Sequence, residues 1–413
     1  VVGINYNDPT NPGQFSEDGE GKTYGYINVD ISGGTIGNEH EYVYANPSAT
    51  SAQMETWQAA HNMPYTEFDA NNNNHLSRTK GGNVFGGSMG RLTKMDGTTI
   101  NPFWPSLGKA KQTTVVVRGD AVVKSSVYGG GEFGTVRNNA TVRIQGGTVG
   151  TRIANPNYNP ENPGNAEEQY HYGSVYGGGF GSRDLEYTGA YANDSTANGL
   201  YKRPVEIAGR VYGNTFVYIE GGQVLENVFG GGELASIGMV KNGAMVKGIA
   251  TVEMTGGQVG PLDMTGLNAY VYGGSKGIPD HGYKAYCNVN STSLTVDMDL
   301  YDDEQDTGDR VWGSLFGGGS DGHVLGDALV LMRQGTLGTT GVTSWDGNIF
   351  GGGRNYSAVS ETSGRVGGNV EVTVTGGHLL GSVFGGGRLG SVGIDEDGVM
   401  QEDAGANTYG YTT

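Results

Sequence analysis

A single cysteine, Cys287, stands in a chain of 413 residues, so no internal disulfide can form. No run of 18 apolar residues occurs, and membrane insertion through a helix is therefore not expected. Basic residues are scarce: 25 Lys and Arg stand against 43 Asp and Glu, a formal net charge of −18. Nucleic acid and anionic membrane surfaces both need a basic face to neutralise phosphate, so neither is an expected partner. Proline numbers only 12 and no strict G-X-Y period exists, which excludes a collagen helix. Helical periodicity is nearly missing as well. Stretch 50–62, with Thr50 or Ser51 as its cap, is the one helix candidate. The chain opens at Val1 without the pattern of a signal peptide, so a mature form or an excised piece is expected.

Glycine is what the chain has in abundance: 77 residues, more than double the usual share of about 7%. Much of it falls in a motif that reads β-branched residue or Leu, aromatic, then two or three glycines. Copies begin at Val84, Val127, Val175, Val228, Val271, Leu315, Ile349 and Val383, spaced 43, 48, 53, 43, 44, 34 and 34 residues apart. A second recurring piece is a period-two strand that stops at Gly-Gly: Val142–Gly147, Val217–Gly222, Val252–Gly257 and Val372–Gly377, with an early copy at Ile27–Gly34. Looser copies lie at Val115–Asp120, Leu294–Asp299 and Val330–Gly335. A motif that returns along most of a chain is a rule of the fold rather than one active site.

Alternation puts Val372 and Val374 on one face of their strand and Thr373 and Thr375 on the other. A lone strand cannot bury such a face, but equivalent strands stacked at about 4.8 Å can, as parallel ladders. The expected fold is all-β, a parallel β-helix or β-solenoid of about eight modules with loop insertions, right-handed on base rates. One coil of about 34 residues per module, three-sided, is favoured over two coils of about 17 residues. The longer modules carry insertions, roughly 38–82, 151–173, 261–270 and 300–313 between the Gly-Gly corner and the aromatic motif, and 91–112, 184–210 and 278–291 after it. Residues 1–25 read as a polar lead-in, 26–394 as one solenoid, and 395–413 as a loop and the start of a further repeat. Thr408-Tyr409-Gly410-Tyr411 repeats Thr23-Tyr24-Gly25-Tyr26, and no capping sequence is evident. A segment of a longer array, or a subunit that stacks end to end, is expected.

Candidate chemistry is sparse. G-x-G-x-x-G occurs at Gly129–Gly134, Gly317–Gly322 and Gly385–Gly390, but as part of the repeat and without a βαβ context for a nucleotide. The seven histidines are scattered, and one cysteine cannot build a thiolate zinc site. Oxygen-rich loops suit Ca²⁺, which makes Asp299, Asp302, Asp303, Asp395 and Asp397 the calcium candidates. No other cofactor is expected. A polysaccharide-cleaving β-helix would need converging carboxylates, and the candidates are Asp297 and Asp299 with Arg310, or Glu220 and Glu253 on neighbouring modules. No catalytic residue is expected, and an enzyme is not the favoured reading. The aromatic ladder of Phe85, Tyr128, Tyr176, Phe229, Tyr272, Phe316, Phe350 and Phe384 is a binding platform if it faces outward and structural packing if it turns inward; packing is favoured. The outward position matching Thr373 is read as Asp30, Val116, Arg143, Tyr218, Glu253, Asp297 and Leu331, too mixed for an ice-binding face.

The V-[FY]-G-G-G motif and the V-x-V-x-G-G strand resemble those of glycine-rich, adhesin-like β-solenoid proteins of bacterial surfaces, particularly large secreted proteins of gut anaerobes. The resemblance covers roughly residues 26–394. It implies an extracellular structural or adhesive role at the bacterial cell surface, and it supplies no catalytic residues. The partners it implies are a second copy stacked end to end, neighbouring repeats of the same polypeptide, or a glycan or host-surface ligand. A carbohydrate-binding or carbohydrate-active β-helix is the alternative.

Overall fold

Valine and isoleucine at alternate positions give each V-x-V-x segment one apolar face that only a neighbouring copy can cover. In the structure, a computed structural model, that neighbour is the equivalent strand of the next module. Strands Tyr26–Ile31, Gln112–Val117, Ala140–Val149, Thr215–Val224, Ile249–Val259, Ser291–Asp297, Ala328–Gln334 and Val370–Val374 stack in this order as one parallel ladder. The structure describes residues 2–3, 25–37, 82–90, 95–96, 99–100, 107–154, 169–181, 207–241, 244–245, 247–260, 269–277, 287–305, 307–339, 346–355 and 360–400. The helix candidate at 50–62 lies outside them.

The protein is all-β, a parallel β-solenoid with eight coils among the described residues. Each coil carries four short β segments. The second follows the Gly-Gly corner, from Thr35–Ile36 through Val122–Val123 to His378–Leu379. Ala140–Val149, Thr215–Val224 and Ile249–Val259 run unbroken through that corner with a bulge, so the first two ladders form one sheet. The third ladder is the aromatic motif: eight two-residue strands, Val84–Phe85 to Val383–Phe384, parallel and in register. Val127 pairs with Val84 on one side and Val175 on the other, so each motif is one coil and the two-coil arrangement does not occur. The fourth is a looser line through Ala110, Val136, Val211 and Ile237, continued by Val289, Val324, Val366 and Val392.

Equivalent apolar positions stack into one core. Val115, Val142, Val217, Val252, Leu294 and Val330 share a register and are all buried, packed against the Val, Leu or Ile of the aromatic motifs. The register also revises one outward position: Thr295, not Asp297, lies between Glu253 and Leu331. Further in, the first inward residue alternates along the stack as Thr113, Ala140, Thr215, Ala250, Thr292 and Ala328. Each threonine hydroxyl donates at 2.7 Å to the first glycine carbonyl of its own coil's motif, at Gly129, Gly230 and Gly317. Those carbonyls sit in the dry interior, where an unpaired acceptor costs about 1–3 kcal/mol.

The insertions carry their own strands. Thr151–Ala154 pairs antiparallel with Gln169–Tyr172 in a hairpin that leaves the third coil. The insertion expected after the corner in the sixth coil lies instead within the corner, between Ser291–Asp297 and Arg310–Val311. At the first coil, Val2–Gly3 runs antiparallel over Ile27 and Asn28, a short cover that no sequence pattern announced.

Candidate functional site

A two-residue extended strand points its side chains to opposite sides, so the aromatic motif divides its burial. The aliphatic residue enters the main core, and the ring enters a second, aromatic core. The eight rings form one continuous stack with centroids 4.7–4.9 Å apart, the spacing of the coils. Outer residues close over it: Phe180 sits edge-on to Tyr128 at 5.7 Å, and Tyr270 edge-on to Phe316 at 5.5 Å. Tyr128, Tyr176, Phe229, Tyr272, Phe316 and Phe350 are buried, Phe85 is half-buried, and Phe384 is exposed. The hydroxyls inside find polar partners. Tyr128 donates to Glu233, which also holds Lys276 at 2.9 Å. Burial pushes the Tyr272 hydroxyl up to about 12, and the Arg354 guanidinium lies 3.4 Å from it.

The acidic candidates are occupied by local bonds. Asp297 faces Arg333 at 3.5 Å. Asp302 accepts from the backbone N–H groups of Glu304 and Gln305, which shapes its own turn. Arg310 does not turn toward Asp297 or Asp299. It is buried against Tyr301 and Trp312, donates to Asp303 at 2.7 Å and to the carbonyl of Gly338, and so belongs to the core of the sixth coil. Asp395 accepts from the N–H groups of Asp397 and Val399 in a turn of its own. Asp299 lies beside Asp309, whose carboxyl is pushed up first by burial and then by the Asp299 charge. Among the described residues, no three His, Cys, Asp or Glu side chains gather in a way that could hold a metal ion.

Glu220 and Glu253 are on adjacent coils of the first ladder, Glu253 opposite Tyr218. Glu220 accepts from Arg143, whose guanidinium lies 4.2 Å over the Tyr218 ring. Directly after Glu220 the chain turns the corner, and here the surface is concave. An open trough of about 630 Å³ crosses the corners of the third, fourth and fifth coils. Its floor is Gly147, Gly221, Gly222 and Gly257; its sides carry Arg152, Gln223, Gln258, Gly308 and Asp309. Gly147, Gly222 and Gly257 have φ of 75°, 74° and 83°, a left-handed corner that keeps side chains off the floor. Arg152 comes from the hairpin of the third coil, and Asp309 from the corner insertion of the sixth. The sequence reading found Glu220 but missed these flanking groups. The doubled Gly-Gly-Gln, at Gly221–Gln223 and Gly256–Gln258, was the signal available.

A third cluster lies inside the fourth ladder. Cys287 is buried and its thiol is pushed up by burial, so it is an inert core residue rather than a nucleophile. Beside it, burial and the like charge of Arg365 push the His323 imidazole down to about 3. An unfolded histidine protonates near 6.5, so between these values the unfolded chain binds the extra proton. The His323 contribution is therefore whole above pH 6.5 and lost as pH falls, at about 1.4 kcal/mol per pH unit. Urea midpoints measured from pH 7 to pH 4 should fall more steeply for the wild type than for His323→Gln; parallel curves would contradict this assignment.

Comparison with protein-family models, with curated proteins and with solved structures finds no match for the chain.

Proposed function

We propose that the chain is an extracellular structural and adhesive repeat protein of a bacterial surface, a stiff shaft whose coils continue by stacking end to end. The observation that carries this reading is the state of the eighth coil. Val383, Phe384 and Leu389 are 51%, 47% and 67% exposed, whereas Ile349 and Phe350, one coil inward, are 0% and 5% exposed. Val370–Val374 and Val383–Phe384 are hydrogen-bonded to a neighbouring strand on one side only, among the described residues. An open strand edge with an apolar face is a template for another strand. The occupant with matching ladder positions is another coil of this kind, from a second copy or a neighbouring repeat. The surface location draws its support from the resemblance of the two repeated motifs to those of adhesin-like solenoids.

Negative-stain electron microscopy of the whole chain should show rods in multiples of one length, growing with concentration. A Val383→Lys/Phe384→Ser variant changes only exposed side chains and should yield single short rods with an unchanged circular dichroism spectrum. Short rods from the wild type at every concentration would overturn the stacking.

A further inference from the structure

We propose that the trough at the Gly-Gly corners is a binding site for a neutral, hydroxyl-rich oligosaccharide; this gives the adhesive role a ligand class and rests on that reading. Two features of the trough select this chemistry. The first is its floor, which is glycine backbone, with no apolar side chain among the lining groups to shape an enclosed pocket for a lipid tail or a flat aromatic ligand. A polar chain can lie directly on such a floor.

The second is the spacing and polarity of the rails. Gln223 and Gln258 are register partners on adjacent coils, so their amides repeat at the coil rise of about 4.8 Å. Each amide NH2 gives one N–H to a backbone carbonyl, Gln223 to Gly260 at 3.2 Å and Gln258 to Gly308 at 2.9 Å, and keeps its second N–H. That fixes the two side chains and leaves each Oε1 as an acceptor. A linear glycan presents hydroxyl donors at a comparable interval. One Asp309 oxygen accepts from the Gly257 N–H at 2.6 Å, so its carboxylate is also held in place. Arg152 offsets only one of the two neighbouring carboxylates, Asp309 and Asp299, and the remaining negative charge disfavours a sulfated or uronic ligand against a neutral one.

The site therefore offers both acceptors and amide donors, with Arg152 at one side.

The test uses the full chain on an array of neutral oligosaccharides, followed by calorimetric titration of any glycan retained. Gln223→Ala/Gln258→Ala and Asp309→Ala should each weaken binding roughly tenfold or more, the loss of one or two hydrogen bonds, with the circular dichroism spectrum of the folded wild type retained at the assay temperature. Binding of that glycan unchanged by both variants would overturn the trough and leave adhesion elsewhere on the shaft intact. No neutral glycan retained by the wild type would overturn the trough and the glycan-adhesive reading together. Rod growth in the microscope, which depends on the eighth coil, separates either result from a failure of the stacking.

Discussion

Gly317→Ala is expected to destabilise the solenoid by at least about 3 kcal/mol, while Gly386→Ala, in the next-but-one copy of the same motif, changes stability by no more than about 0.5 kcal/mol. Neither glycine has a positive φ, so the contrast is not one of backbone strain. It comes from what a Cβ would meet. At Gly317 it would fall far inside contact distance of the Gly351 carbonyl oxygen, with Val330 Cγ2 at 2.9 Å behind it. The obstructing atom is backbone, and that backbone is tied into the ladder: Gly317 N–H donates to the Phe350 carbonyl at 2.8 Å, and Gly318 N–H to Gly352 at 3.1 Å. Making room for one methyl means moving a coil and losing those bonds in a dry interior. A Cβ at Gly386 meets nothing within 4 Å, because the eighth coil has no described coil beyond it. Urea unfolding of the two variants compares them directly, and equal midpoints would remove the close-approach argument. A filament would shift the comparison: with the eighth coil covered, Gly386→Ala should suppress assembly while leaving the single rod as stable as before.

That comparison shows how far the repeat could be read from sequence. The solenoid was legible because Val372 and its counterparts recur at a two-residue period beside a glycine stop, and only stacking satisfies such a face. The aromatic motif was half-legible. Alternation says that the aliphatic residue and the ring of each copy diverge, but not that the outward side of the inner copies becomes an interior where Phe180, Tyr270 and their like fold over the stack. The glycines divide into two kinds that look alike in sequence. Gly147, Gly222 and Gly257 need φ of 74–83° at a corner, whereas Gly129, Gly230 and Gly317 have ordinary φ and are glycine because the next coil lies against them. The trough was not legible as a whole. Glu220 and the paired glutamines are in the repeat, but Arg152 and Asp309 reach it from insertions that have no period. Arg310 misled for a related reason: its spacing from Asp297 and Asp299 placed it with them, but aromatic faces at Tyr301 and Trp312 and the Gly338 carbonyl hold it inward.

Phe316→Ala is expected to cost about 5 kcal/mol, and Phe384→Ala about 1 kcal/mol. Phe316 is 0% exposed and touches three rings: Tyr272 and Phe350, each stacked at 4.8 Å, and Tyr270, edge-on at 5.5 Å. Truncating a buried phenylalanine costs about 3–5 kcal/mol, and the upper end applies where the surroundings cannot collapse. Here they cannot. The rings above and below are fixed at the coil spacing by backbone ladder bonds, such as that from Gly273 N–H to Phe316 O at 2.8 Å. The gap stays open and both faces of the stack lose a partner, each ring pair being worth about 0.5–1.5 kcal/mol beyond its area. Among the described residues Phe384 has one ring neighbour, Phe350, and about half of its side chain is exposed. Because each coil touches only its neighbours, the damage should also be local. Hydrogen exchange in Phe316→Ala should speed up for amides of the fifth to seventh coils, while Val142 and Val217 keep their protection. Phe316→Leu should recover part of the loss, since it refills volume without restoring the stack. Equal losses for Phe316→Ala and Phe384→Ala would mean that the stack contributes area alone and that the rings, although buried, are not what holds the coils in register.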